Sequence, residues 1–212
     1  MKRGTVTMLN HQGFDLWADE YDNSVQQSEQ DNTYPFAGYR QVLNTIYRRI
    51  RENGGKTVLD IGFGTGTLTK QLYNDGISVT GIDFSPKMIQ IAKEKMPNAR
   101  LIEFDFSAGL PDELFAEKFD SIVCTYAIHH LTREQRNRFL AQLKTILQPN
   151  GEILIGDVMF RSKADMERCI VSAGDDWDED ESYIVIDELT ADCHMDVQFI
   201  ACSDCAGVCI IR

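Results

Sequence analysis

The run TVLDI at 57–61 passes straight into GFGTGT, so a short β-branched segment ends in three glycines at alternate positions, Gly62, Gly64 and Gly66. Leu68 and Leu72 then carry a helical stripe to Gly76. Few folds accommodate this order. A buried strand must turn sharply on residues that tolerate left-handed angles and close approach to a ligand, and the helix that follows must present unbonded N–H groups at its start. A second strand-like run, ISVTGID, follows at 77–83. The unit is therefore β-α-β.

The same alternation continues. Ser85-Pro86 reads as an N-cap with proline at the first helical position, opening a helix through Met88, Ile89, Ala92 and Met96 that ends before Pro97. RLIEF at 100–104 and FDSIVCTY at 119–126 are strands. Thr132 with Gln135 makes a capping box ahead of a stripe of Phe139, Leu143, Ile146 and Leu147, a turn is expected at Pro149-Asn150-Gly151, and EILIGDVMF at 152–160 is the fifth strand. Upstream, Phe36, Tyr39, Leu43, Ile46 and Ile50 recur at helical spacing until Gly54-Gly55. Downstream lie a helix over 163–173, an acidic run at 175–181, and YIVIDEL, which fits strand or helix. A hairpin is expected between 196–202 and 207–212. Short links between alternating elements predict an α/β fold with a parallel sheet covered on both faces.

The 212 residues, 43% apolar and 25% charged, suit one globular domain. Residues 1–35 read as a polar arm set with aromatics, 56–160 as the ligand-binding core, and 161–212 as a C-terminal part with the acidic loop and hairpin. No apolar run reaches the ~18 residues of a membrane span, and MKRGTVTMLNHQ lacks the apolar stretch of a secretory signal, so a cytoplasmic protein without membrane contact is expected. The net charge is −12, and 169–211 holds eleven acidic side chains with no Lys or Arg. A chain without a basic stripe is a poor ligand for nucleic acid. The six cysteines are expected as thiols. Cys202, Cys205 and Cys209 belong to the apolar hairpin segment and, even joined by Cys193, do not complete a paired zinc motif. No metal site is expected.

The glycine loop carries the ligand chemistry. A dinucleotide fingerprint asks for Gly or Ala where Thr67 stands, and the carboxylate of Asp60 beside the loop repels a pyrophosphate but suits an ammonium or sulfonium group. Asp83 closes the second strand 21 residues after Gly62, where an acidic side chain accepts ribose hydroxyls in doubly wound folds. Together these residues make the chain resemble the class I S-adenosylmethionine-dependent methyltransferases, whose glycine loop is matched by Asp60 to Gly66. FDLWADEYD at 14–22, FDF at 104–106, FDSIVCTYAIHHL at 119–131 and LQPNGEILIGD at 147–157 are similar to further motifs of that family.

The resemblance implies a Rossmann-like doubly wound sheet of seven strands, order 3-2-1-4-5-7-6, mostly parallel with the last strand antiparallel. It implies S-adenosyl-L-methionine as cofactor, with Trp17 and Tyr21 of the arm folding over it. Asp105 and Phe106 meet the adenine, and Phe84, Met88 and Tyr126 line the site, although a Met on a helical stripe also serves as core. His129 and His130 follow the fourth strand, where either is a candidate base for the acceptor's proton; His129 is preferred, and packing against the loop is the alternative. Tyr34, Tyr39 and Arg40 either meet an acceptor or the cofactor carboxylate, or simply belong to a plain amphipathic helix. The acidic run around Trp177 gates the site, attracts a basic acceptor, or is simply a solvated loop. The acceptor is expected to be a small molecule and the protein a monomer or homodimer. Two competing functions are a non-catalytic protein that holds S-adenosylmethionine or S-adenosylhomocysteine, and a nicotinamide-dependent oxidoreductase, which Asp60 and Thr67 disfavour.

Overall fold

The computed structural model describes residues 33–193 and 195–212, so Trp17 and Tyr21 lie outside the described residues. In chain order the elements are α1 (Tyr39–Asn53), β1 (Thr57–Ile61), α2 (Thr67–Asn74), β2 (Ser78–Asp83), α3 (Pro86–Lys95), β3 (Arg100–Glu103), β4 (Phe119–Thr125), α4 (Arg133–Thr145), β5 (Leu147–Phe160), α5 (Lys163–Ala173), β6 (Ile184–Val185), α6 (Ile186–Cys193), β7 (Val197–Ala201) and β8 (Ala206–Ile211). The sheet order is β3-β2-β1-β4-β5-β8-β7, with β6 pairing β5 off this path. This is the expected seven-strand order with one added two-residue strand. The segment YIVIDEL resolves into both candidates: Ile184 and Val185 pair with Met159 and Phe160, and the chain turns helical from Ile186.

Alternation along each strand builds a core on each face. Leu59, Ile122, Ile153 and Ile155 pack on one face with Phe139, Leu140 and Leu143 of α4 and Leu189 of α6. Val58, Val123 and Leu154 pack on the other with Val42, Ile46 and Ile50 of α1 and Leu68 and Leu72 of α2. Each fully buried side chain of this kind stabilises the fold by about 2 kcal/mol. Close approach of α1 to β5 depends on Gly156, where a Cβ would stand 2.4 Å from Val42 Cγ1 and 2.8 Å from Ile46 Cδ1.

Local chemistry sets the helix starts. Ser85 Oγ accepts from Met88 N–H at 3.2 Å with Pro86 behind it, and Thr132 and Gln135 form the expected capping box. Ser162 and Asp165 form a second box at the start of α5. The turn expected at 149–151 is instead a bulge inside β5: pairing passes from Phe119↔Leu147 to Ser121↔Glu152, two steps on β4 against five on β5. Leu147 is already in the ladder, so the extra residues have to loop out beside β4 instead of preceding the strand. The C-terminal hairpin forms as read, and Ser203 Oγ accepts from Ala206 N–H at 3.0 Å and donates to the Ala37 carbonyl at 2.9 Å. No disulfide joins Cys124, Cys169, Cys202 or Cys205. Among the described residues no helix is long and apolar enough to cross a membrane.

Candidate functional site

The carboxyl ends of β1 and β2 meet in the glycine loop. Gly62 continues the ladder by donating to the Ile82 carbonyl at 2.8 Å, then the backbone takes left-handed angles at Gly62, Gly64 and Gly66, with φ of 65°, 55° and 77°. Any other residue is strained there. A Cβ on Gly62 would stand 2.6 Å from Ala127 Cβ, whereas one on Gly64 would project into open space. Glycine is thus required by packing at the first position and by backbone angle at the second.

Asp83, 4% exposed at the end of β2, accepts from Gly64 N–H at 2.8 Å through one oxygen and from Ser85 N–H at 2.9 Å through the other. A carboxylate has about four acceptor positions, so these two bonds fix its plane beside the loop. Asp60 is buried within β1, with Oδ2 accepting from Thr69 Oγ1 at 2.5 Å and Oδ1 without a hydrogen-bond partner among the described residues. Burial, reinforced by the neighbouring Asp83 charge and opposed by the Thr69 hydroxyl, pushes its carboxyl up to about 7. A buried carboxylate of this kind is completed by a cation. A glycine turn, an oriented acceptor pair and an uncompensated acid fit a nucleoside bearing positive charge.

Other residues singled out from the sequence lie on several elements. Phe84, half-buried, follows Asp83, and Met88 is buried on α3. Asp105 is exposed and caps a short 3₁₀ turn by accepting from Ser107 N–H at 2.9 Å. Phe106 is buried against Phe139, and its Cε1 is 3.7 Å from the position of a Cβ on Gly62. Tyr126 holds a φ of 49°, the left-handed region for a non-glycine residue, and its ring packs 5.4 Å from Phe36 and 5.1 Å from Tyr39. Backbone strain of order 1–3 kcal/mol at a strand end is a mark of functional sites. Arg40 is exposed on α1.

Across the sheet, the end of β4 meets that of β5. His129 Nδ1 lies 2.7 Å from Oδ1 of Asp157, a fully buried side chain, while its Nε2 lies 3.8 Å from Glu181 Oε2. His130 Nδ1 is 3.1 Å from Glu181 Oε1. Burial disfavours the His129 imidazolium, but Asp157, then Glu181 and Asp178, outweigh it and hold the ring above the ordinary histidine value. Glu181 is held below its ordinary value, burial being overcome by His130 and His129.

Tyr34, Trp177 and Tyr183 close over this side, with Tyr34 stacked on Trp177 at 5.1 Å and Trp177 edge-on to Tyr183 at 4.8 Å. The hydroxyls of Tyr34 and Tyr183 are hydrogen-bonded. The acidic run is thus not simply solvated: Trp177 and Glu181 fold inward while Asp175, Asp176, Glu179 and Asp180 are exposed. Sequence reasoning did not find Asp157, Glu181 or Tyr183. A carboxylate set among the apolar residues of the fifth strand was a signal for the first; nothing local marked the others.

A family model described as a methyltransferase domain matches residues 58–151. An uncharacterized methyltransferase of Alkaliphilus oremlandii is 35% identical over 86% of this chain and 81% of its own, and another from Oceanobacillus iheyensis is 41% identical over 71% and 67%. Among solved structures, the DhpI complex with SAM and HEP superposes with a TM-score of 0.69 at 18% identity, covering 100% of both chains. The chain belongs to the class I S-adenosylmethionine-dependent methyltransferase family.

Proposed function

We propose that this methyltransferase acts in the cytoplasm on a small-molecule acceptor by direct in-line transfer, with His129 taking the acceptor's proton. When bound, S-adenosylmethionine would supply an electrophilic methyl group on its sulfonium, with sulfur keeping the electron pair of the carbon–sulfur bond as the methyl passes to the acceptor. The chain's part is then mainly to position and to screen. Asp83 accepts the ribose hydroxyls, and Asp60 complements the positive end. Asp105 and Phe106 hold the adenine, and Phe84, Met88 and Tyr126 line the site against water. With Nδ1–H donated to Asp157, His129 keeps its lone pair on Nε2, the atom that accepts a proton.

The observation that carries this reading is the clamp of Gly64 and Ser85 N–H groups on Asp83 beside a buried, incompletely bonded Asp60. The −12 charge supports a small acceptor over a nucleic acid. Unbridged Cys124, Cys169 and Cys205, all buried, suit a reducing compartment. The test is calorimetric titration with S-adenosylmethionine, S-adenosylhomocysteine and NADH, followed by a labelled-methyl screen of metabolites. Binding of the first two alone is expected, and Asp83→Ala should weaken it about 100-fold. Near-normal affinity of that variant would remove Asp83 from the ribose role.

A further inference from the structure

We propose that His129, His130 and Glu181 form a binding site for a divalent metal ion of the zinc class, facing the acceptor side of the methyl-transfer centre. One ligand atom from each residue lies within 4.8 Å of the other two. His129 Nε2 stands 3.8 Å from Glu181 Oε2, and His130 Nδ1 stands 3.1 Å from Oε1 of the same carboxylate. Nitrogen and oxygen ligands held at about 2.1 Å on a tetrahedron are separated by about 3.4 Å. On the shared oxygen Oε2 the two separations, 3.8 Å to His129 Nε2 and 3.2 Å to His130 Nδ1, bracket that value, and an ion enters as the side chains close on it.

Three further observations point the same way. Two imidazoles with one carboxylate are a donor set for zinc and its neighbours, whereas magnesium and calcium ask for oxygens alone. Asp157 then supplies what a ligating histidine normally has behind it. Its fully buried carboxylate holds His129 Nδ1 at 2.7 Å and also accepts from Val158 N–H at 2.7 Å, which fixes the ring and leaves Nε2 as the coordinating atom. Finally, the two ligand segments are joined by a backbone hydrogen bond, and a buried guanidinium holds the second of them. Ser182 N–H donates to the His129 carbonyl at 2.9 Å, and buried Arg136 donates to the Ser182 carbonyl at 2.7 Å. The side chains of His129, His130 and Glu181 remain 15%, 31% and 18% exposed, so an ion has a way in and a fourth position stays open. Sequence spacing hid this site because Glu181 follows the histidine pair only after a helix, a strand and another helix.

One consequence rests on the proton-transfer role given to His129 above. A metal on Nε2 occupies the lone pair that would take the acceptor's proton, so zinc inhibits methyl transfer.

Cobalt(II) titration of the full chain, followed by its visible absorption, tests the site. The wild type should bind one equivalent with a nitrogen–oxygen spectrum and no thiolate charge-transfer band. His130→Ala and Glu181→Gln should each weaken binding about 100-fold, with thermal melts confirming that both variants fold, while Cys205→Ser should leave binding unchanged. Absence of binding, unchanged affinity in both ligand variants, or a thiolate band would overturn the proposal. Zinc inhibition that His130→Ala relieves supports both readings. Binding without inhibition supports the metal site and removes His129 from proton transfer.

Discussion

The two ends of the sheet are built on opposite electrostatic principles. At the amino ends of its strands, Glu152 is 4% exposed yet accepts from Arg49 at 2.7 and 2.6 Å, from Asn53 at 2.7 Å and from Arg212 at 2.8 Å, which ties α1, β5 and the last residue together. Arg49 first, with Asn53 and Arg212, draws its carboxyl down to about 2. Asp120 at the same end accepts from the Lys56 and Thr57 N–H groups at 2.8 and 3.0 Å. Toward the carboxyl ends, Asp60 Oδ1 and Asp157 Oδ2 are buried with no hydrogen-bond partner among the described residues, and Tyr126 sits at a strained φ of 49°. Carboxylates at one end are saturated by protein donors, and at the other two buried carboxylate oxygens are left without one among the described residues. The difference teaches where stability has been given up for function.

That contrast can be broken by substitution. The largest effect is expected at the functional end: His129→Asn, with methyl transfer measured on metal-free enzyme, should lower the rate by about 10³ with little change in melting temperature. A variant of near-normal rate would leave the imidazole a packing role. At the opposite end, Glu152→Ala should cost about 3 kcal/mol in urea unfolding and leave cofactor affinity intact. Because folding depresses the Glu152 carboxyl from its ordinary 4.5 to about 2, its contribution is complete above about pH 4.5 and is lost as pH falls toward 2. An acid-unfolding midpoint shared by wild type and variant would refute this.

Asp60 should behave with the reverse sign. Folding raises its carboxyl from 3.8 to about 7, so the ionised form destabilises the empty protein increasingly as pH climbs through that interval. Asp60→Asn should therefore stabilise the ligand-free protein at pH 8, change little at pH 4, and weaken cofactor binding. Melting curves at the two pH values decide the matter. The smallest expected effect is that of Thr132→Ala, which removes one half of the α4 capping box and should cost about 1 kcal/mol wherever the pH is set.

Legibility followed the same division. The strand β1 and the helix α5 have the bounds that periodicity predicts, and the caps at Ser85 and Thr132 form as read, because each depends on neighbours within a few residues. Asp60 and Asp83 were readable for a related reason: the glycines between them announce the turn that brings the two strand ends together. The bulge at 149–151 was misread as a turn, since a ladder partner on β4 decides it. Glu181 was hidden in a run of like charges, and whether such a residue is solvated or folded inward depends on what faces it.

The sequence by itself determined the alternation of strands and helices, the glycine turn with its two acids, and through them the family. All of these are local patterns, set by backbone preference and the spacing of apolar side chains. Only the tertiary structure decided that Tyr34, His129, Asp157, Glu181 and Tyr183 meet, that Asp60 is left short of a partner while Glu152 has three, and that α1 can lie on Gly156. Those outcomes depend on contacts between residues up to 149 positions apart, and no local preference encodes them.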